Sequence, residues 1–103
     1  MINISSKYKN IIEKTVREHG IKGDYEINVF LATVSEIKDL HHKYMASQGY
    51  EDEYHDVLSF PLDREVGPDG ITRLGDIVIC DQEKDIESLA EHGCLHLLGI
   101  HHE

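Results

Sequence analysis

The chain of 103 residues is long enough for one small domain, and its composition excludes several classes of protein. It has 10 Lys and Arg against 20 Asp and Glu, a formal net charge of −10 with histidine neutral. This charge argues against a basic nucleic-acid coat protein and against an anionic membrane surface as the partner. There is no long apolar run and no secretory pattern, and two cysteines do not make a disulfide framework. We therefore expect a cytoplasmic protein without a membrane partner.

The first half of the chain predicts two strands and two helices. Residues 1–5 alternate weakly, as in a short strand. Residues 8–19 carry apolar side chains at the i, i+3, i+4, i+7 spacing of an amphipathic helix, which Gly20 is suited to end. Residues 25–32 alternate with period two and predict a strand. Residues 33–49 open with the Thr-x-x-Glu spacing of a capping box and continue as a helix that fades at its end.

The second half predicts two further strands and a third helix. Residues 57–60 indicate a strand that Pro61 ends, and the Gly-Pro-Asp-Gly run at 67–70 indicates a turn. The unbroken apolar run at 77–80 is typical of a strand buried on both faces. Residues 82–98 have helical periodicity.

Asp81 or a neighbouring residue is expected to cap this third helix, and Gly99 to end it. The order of elements, β-α-β-α-β-β-α, predicts an α+β fold. We expect a mixed four-stranded sheet with about three helices packed on it, formed by residues 1–103 as a single domain.

The stretch from His92 to His102 carries the strongest chemical signal, with the skeleton H-x-x-x-H-x-x-G-x-x-H. His92 and His96 lie four positions apart, so on a helix both imidazoles share one face and can bind one ion. Gly99 can adopt the positive φ that turns the chain back and brings His102 round as a third ligand. Three histidines leave one position of a tetrahedral zinc ion open, which is typical of a catalytic site. The sequence therefore predicts one Zn²⁺ per chain, bound at the end of the last helix.

Gly93 separates this motif from a protease motif of the same spacing. Metzincin proteases carry a Glu general base directly after the first histidine, where this chain has Gly93. A metzincin-like metallopeptidase is therefore a weaker alternative. A glycine inside a helix costs about 1 kcal/mol relative to alanine, which indicates that another group approaches the helix closely at this position.

The same stretch resembles the signature H-G-x-L-H-L-x-G-Y-D-H of the YbeY family, the bacterial metal-dependent endoribonucleases that act in ribosomal RNA maturation. Residues 55–61 are similar to the family's T-D-V-L-S-F-P, and residues 74–79 to its L-G-D-I-V-I, in the same order. The resemblance covers most of residues 25–102. It implies a metal role for His92, His96 and His102, hydrolysis of a phosphodiester in single-stranded RNA, and a cytoplasmic, ribosome-linked setting.

The chain departs from the family pattern near both ends of the predicted site. His101 replaces an Asp that could orient an imidazole or take a proton, so His101 is the candidate catalytic proton acceptor, with another cleft group or solvent as alternatives. Met45 replaces an Arg, and the lost phosphate contact could pass to Lys43, His41 or His42. Family members continue into another helix beyond the last ligand, so this chain is either a minimal member or a cut one.

Several other side chains have two interpretations. Ser59 could bind a phosphate of the substrate or simply a backbone group. At least one of His41 and His42 is expected on the solvated face of its helix. Cys94 lies well round the helix from the histidines, so we expect Cys94, like Cys80, to be a small buried residue and not a ligand.

The leading hypothesis is a zinc-dependent endoribonuclease that acts on a single-stranded ribosomal RNA precursor. The metal would supply hydroxide at neutral pH or activate the RNA 2′-hydroxyl, and the sequence does not decide between these. A net charge of −10 predicts weak RNA binding by the isolated domain, or a ribosomal partner that supplies the docking surface. A non-catalytic metal-binding module associated with the ribosome is the other alternative, and the oligomeric state is not predicted.

Overall fold

The computed structural model describes residues 1–45, 56–62 and 65–99, with the backbone alone at positions 44 and 45. The predicted α+β fold is confirmed, with four strands and three helices in the described residues. They are β1 (Ile2–Asn3), α1 (Lys9–Glu18), β2 (Tyr25–Ala32), α2 (Val34–Met45), β3 (Val57–Pro61), β4 (Thr72–Cys80) and α3 (Ile86–Leu97). None of the helices in this part of the chain is long and apolar enough to cross a membrane.

The strands form one mixed sheet in the order β1-β2-β4-β3. Its centre is the parallel pair β2–β4, which runs from Tyr25 opposite Thr72 to Ala32 opposite Cys80. The two outer strands pair antiparallel, β1 with β2 and β3 with β4. Because parallel neighbours need a long crossover connection, α2 and β3 lie between β2 and β4 in the sequence.

The helices cover both faces of the sheet. On one face α1 and α3 pack over a core that includes Ile12, Val16, Val29, Ile77, Cys94 and Leu97. On the other face α2 contributes Ile37 to a smaller core with Ala32, Leu58, Val78 and Cys80. Alternate residues of β4 enter opposite cores, so the prediction of a strand buried on both faces is confirmed.

The central strand is longer than the apolar run predicted. β4 begins at Thr72, and its first half carries a bulge: Glu26 lies opposite Arg73, whereas Ile27 lies opposite Gly75. Leu74 is the extra residue and is fully buried. Gly75 has φ +137, a conformation that residues with a side chain rarely adopt. The bulge explains why the period-two pattern is not readable across this segment.

The helix ends follow local rules, with one correction. At α2 the capping box is formed, since the Thr33 N–H donates to Glu36 Oε1 (3.0 Å) and the Glu36 N–H donates to Thr33 Oγ1 (3.2 Å). At α3, for which the sequence predicts Asp81 or a neighbouring residue as the cap, the cap is Asp85, whose Oδ1 accepts a 3.0 Å hydrogen bond from the Ser88 N–H. The helix therefore begins at Ile86, after a turn closed by the Glu83 N–H and the Cys80 carbonyl (3.2 Å).

Candidate metal centre

The two predicted ligands on α3 lie side by side. The ring centroids of His92 and His96 are 4.3 Å apart, with 50° between the ring planes, and both side chains are half-buried. This arrangement follows from the helix, because residues four apart share a face. We call His92 and His96 the histidine pair. Two adjacent imidazoles that are only partly covered fit the nitrogen donors that zinc prefers, and each keeps access to solvent.

The third predicted ligand lies outside the described residues, as does His101. Gly99, the last described residue, has φ +83, and its N–H donates to the His96 carbonyl (3.0 Å). The predicted end of the helix at Gly99 is therefore confirmed. The described residues contain no group of three metal-binding side chains. Within this part of the chain two of the three predicted ligands come together, and His102 stays a prediction.

Gly93, between the two ligands, faces the sheet. A β-carbon added there would stand 2.6 Å from Ile77 Cγ2, closer than such atoms come in proteins. The expectation of a close approach at Gly93 is confirmed, and the approaching group is the Ile77 side chain of β4. A Glu at position 93 would have to displace Ile77, so the structure offers no room for the metzincin base at this position.

Ser59 reaches the same helix from β3. Its hydroxyl donates a 3.4 Å hydrogen bond to the Gly93 carbonyl, which lies in the turn between the two histidines. This contact supports the interpretation of Ser59 as a strand hydroxyl bound to a backbone group. A role for Ser59 in binding substrate stays a prediction. The bond also shows that β3 lies directly beside the ligand-bearing turn of α3.

The cysteines behave as buried small residues. Cys94 and Cys80 are free thiols with no exposed surface, as predicted. Burial, with a smaller contribution from the charge of Glu91, raises the pKa of the Cys94 thiol to about 12. Cys94 packs in the core that α1 and α3 share, on the side of α3 away from the histidine pair.

The predicted substrate groups of α2 occupy different environments. His41 is buried, whereas His42 and Lys43 are exposed in the last turns of the helix. The expectation that at least one of the two histidines is solvated is confirmed. Since α2 and α3 pack on opposite faces of the sheet, the described contacts do not bring Lys43 to the histidine pair. Its phosphate contact stays a prediction.

Two of the positive groups that could face RNA have different surroundings. Arg73, one of the positive groups that could face RNA, pairs with Asp69 (2.8 Å) and lies 3.5 Å from Glu26. Its charge is therefore offset by two carboxylates. Lys38 is exposed on α2. The weak intrinsic affinity for RNA that the net charge predicts stays a prediction.

No pattern in the sequence predicts a role for Asp76, which lies in the L-G-D motif. Its Oδ1 accepts a 3.3 Å hydrogen bond from Asn28 Nδ2, across the central pair β2–β4. It borders a cavity of about 360 Å³ on the α2 face of the sheet, which is lined by Met1, Phe30, Leu40, Phe60, Asp76 and Val78. Two other cavities, of about 450 and 500 Å³, lie around α1. The histidine pair lines none of these three cavities and lies on the surface of α3.

Comparison with known proteins agrees with the motifs. A model of the family described as Endoribonuclease YbeY matches residues 1–103. A protein of that name from Vesicomyosocius okutanii is 39% identical over 105 residues, which cover 89% of this chain and 68% of the relative. One from Acinetobacter baumannii is 37% identical over 115 residues, covering 95% and 70%. One from a Parafrankia species is 35% identical over 98 residues, covering 75% and 59%. The matched part of the chain thus spans from 59% to 70% of the length of these relatives.

Proposed function

Because the chain belongs to the endoribonuclease YbeY family, we propose that it is a zinc-dependent endoribonuclease that cleaves single-stranded RNA during ribosomal RNA maturation. The observation that carries the proposal is the histidine pair, side by side and half-buried on α3, within a match that covers the whole chain. A cytoplasmic location and a ribosomal partner belong to the same proposal.

His92, His96 and His102 would hold the Zn²⁺ ion. When bound, the ion would lower the pKa of a bound water to about 7 and offset negative charge on a phosphoryl oxygen. The chain's own contribution is to orient the imidazoles, through a helix capped at Asp85 and packed directly on β4. His101 is the proposed proton acceptor, since position 93 has no side chain and no room for one.

Substrate binding would depend on few positive groups. Lys43, exposed at the end of α2, is the proposed phosphate contact. Ser59 is a second candidate, although its hydroxyl donates a hydrogen bond to the Gly93 carbonyl of α3. With Arg73 paired to acidic neighbours, we expect the isolated domain to bind RNA weakly in moderate salt. A basic ribosomal partner would then supply docking energy that this acidic chain lacks.

The test begins with metal content. Untagged wild-type protein is compared by elemental analysis with His92→Ala and His96→Ala. The matched control is His19→Ala, because His19 is exposed at the C-cap of α1, where its Nδ1 lies 2.8 Å from the Thr15 carbonyl. We expect about one zinc per chain in the wild type and the control, and little in the other two variants. A folded wild type that takes up no added Zn²⁺ would refute the proposal.

Cleavage then separates the remaining alternatives. The zinc-loaded wild type is offered single-stranded RNA, duplex RNA and an unstructured peptide. Selective cleavage of the single strand that is lost in His96→Ala supports the endoribonuclease. Peptide cleavage would favour the metallopeptidase. Zinc binding without cleavage of either substrate, together with loss of folding in His96→Ala, would favour a non-catalytic module.

A further inference from the structure

We propose that Gly93 and Gly75 are positioning residues of the metal centre. Each removes a side chain where α3 meets β4, and together the two contacts fix how α3 is rotated about its axis and how far it lies along the strand. That placement decides where the histidine pair points. The inference rests on the proposed function, because it concerns the same two ligands.

The first contact is between Gly93 and Ile77. A β-carbon at position 93 would lie 2.6 Å from Ile77 Cγ2, 3.2 Å from Cγ1 and 3.3 Å from Cδ1. Three atoms of one buried side chain therefore occupy the space that any other residue at position 93 would need. Ile77 is itself fully buried in a central strand, so it has little freedom to give way. The helix can lie this close to the strand only because position 93 is glycine.

The second contact is between Gly75 and Leu97. A β-carbon at position 75 would collide first with the Phe60 carbonyl of β3, and it would also lie 2.9 Å from Leu97 Cδ2, at the end of a flexible side chain, and 3.0 Å from the Cα of Pro61. Leu97 follows Gly93 by one helical turn, so the two contacts hold successive turns of α3 against β4. Two contacts on successive turns restrict the rotation of the helix more than one contact would.

The histidine pair lies to one side of this contact line. At about 100° per residue, His92 and His96 are displaced from Gly93 in the same direction, by about 100° and about 60° round the helix axis. Any rotation that makes room for a side chain at position 93 must therefore carry both imidazoles with it. The Ser59 hydroxyl, bound to the Gly93 carbonyl, holds the same turn from the β3 side.

This arrangement places a residue of low helix propensity inside α3. Glycine is a poorer helix former than alanine, and Gly93 lies in the middle of α3. Gly75 is a different case, because its positive φ at the bulge would strain any other residue. Both glycines occur in the motifs that carry the resemblance, yet neither can bind metal or substrate through a side chain. A residue that has no side chain can still position its neighbours, because it lets two elements pack closely.

The experiment measures Zn²⁺ affinity, by competition with a chromophoric chelator, and not activity. Gly93→Ala and Gly75→Ala should each weaken Zn²⁺ binding about tenfold or more while helix content is retained. The control is Gly70→Ala, since Gly70 also has positive φ (+79) but an added β-carbon would meet no atom within 4 Å. It should bind Zn²⁺ as the wild type does. Wild-type affinity in both Gly93→Ala and Gly75→Ala would overturn the inference.

A rescue distinguishes positioning from general damage. Ile77→Ala removes all three atoms that meet the added β-carbon, so Gly93→Ala in that background should not weaken Zn²⁺ binding further. Ile77→Val keeps Cγ1 and Cγ2 and should give no rescue. In each background, the Zn²⁺ affinity of the double variant is compared with that of the Ile77 single variant. If Gly93→Ala weakens Zn²⁺ binding by the same factor in Ile77→Ala as in Ile77→Val, the contact does not position the ligands and the inference fails.

Two further outcomes are decisive. If Gly93→Ala does not fold, Ile77→Ala alone provides the test, because it loosens the contact without a collision and should also weaken Zn²⁺ binding. An unchanged affinity in Ile77→Ala would then overturn the inference. A folded wild type that binds no Zn²⁺ overturns the proposed function and this inference together, whereas insensitivity of a zinc-binding wild type to these substitutions overturns the inference alone.

Discussion

The hydroxyl of Tyr25 on β2 donates a 2.6 Å hydrogen bond to Oε2 of Glu13 on α1. Arg17 Nε donates to the other oxygen of the same carboxylate at 2.9 Å, and its guanidinium lies 5.3 Å from the centre of the Tyr25 ring. The Tyr25 bond, followed by the Arg17 bond, holds the pKa of Glu13 below its usual value of 4.5. Burial and the neighbouring carboxylate raise the pKa of Tyr25, which keeps it a donor.

A pH dependence of stability follows from this carboxylate. Because the folded state lowers the pKa of Glu13, its ionised form stabilises the fold above about pH 4.5. That contribution is lost as the pH falls through the lowered pKa of the folded state. Glu13→Gln should therefore be less stable than the wild type at neutral pH, and the difference should shrink in acid.

Urea denaturation from neutral pH to well below 4.5 measures this difference. Glu18→Gln is the control, since Glu18 is exposed on the same helix and lies 3.9 Å from Lys14. It should follow the wild type closely at every pH, because exposed ion pairs of this kind contribute little. A constant gap between Glu13→Gln and the wild type across the pH range would contradict the assignment.

The cap of α3 gives a second prediction. Asp85→Ala removes the acceptor of the Ser88 N–H and should lower the free energy of unfolding by about 1 kcal/mol. Asp81→Ala is the matched control. Asp81 is exposed and accepts a hydrogen bond from the Gln82 side chain at 3.1 Å, outside the helix. Equal losses in the two variants, measured by urea denaturation, would show that α3 begins nearer Asp81.

Gly93→Glu, which restores the protease residue at its place in the motif, tests the environment of position 93. The side chain would meet Ile77 in the core and would bring a carboxylate with it. We expect a loss of more than about 3 kcal/mol in the free energy of unfolding and no peptidase activity. The control is Ser88→Glu, which adds the same group on the exposed side of α3 and should change stability little. A stable Gly93→Glu variant that cleaves peptides would contradict this account.

The features predicted well from the sequence depend on neighbours in the chain. The bounds of β2, the capping box at Thr33 and the end of α3 at Gly99 agree with the structure. The histidine pair belongs to the same class, because the i, i+4 relation is local to one helix. Each of these features follows from dihedral preferences or hydrogen bonds within a few residues.

The features that the sequence did not provide depend on the sheet. The pattern of the sequence does not reveal the first half of β4, because the bulge at Leu74 interrupts the alternation and because Arg73 and Asp76 take polar partners in the folded chain. The approach at Gly93 was expected, but its partner Ile77 is a tertiary fact that no local pattern encodes. The third ligand, His102, is predicted by its spacing and by the family resemblance, and it lies outside the described residues.

The parallel pairing of β2 with β4 also bears on the order of folding. Tyr25 pairs with Thr72 and Ala32 with Cys80, so the hydrogen bonds between β2 and β4 join two segments that α2 and β3 separate in the sequence. Contacts so distant in sequence are slow to form, because the chain loses the conformational entropy of closing the loop before the contacts contribute any stabilising free energy. The helix that carries the histidines packs on β4, so the metal ligands cannot be correctly aimed in any intermediate that lacks this ladder. Partly folded chains should accordingly lack the organised centre, which confines the proposed nuclease activity to molecules that have completed the sheet.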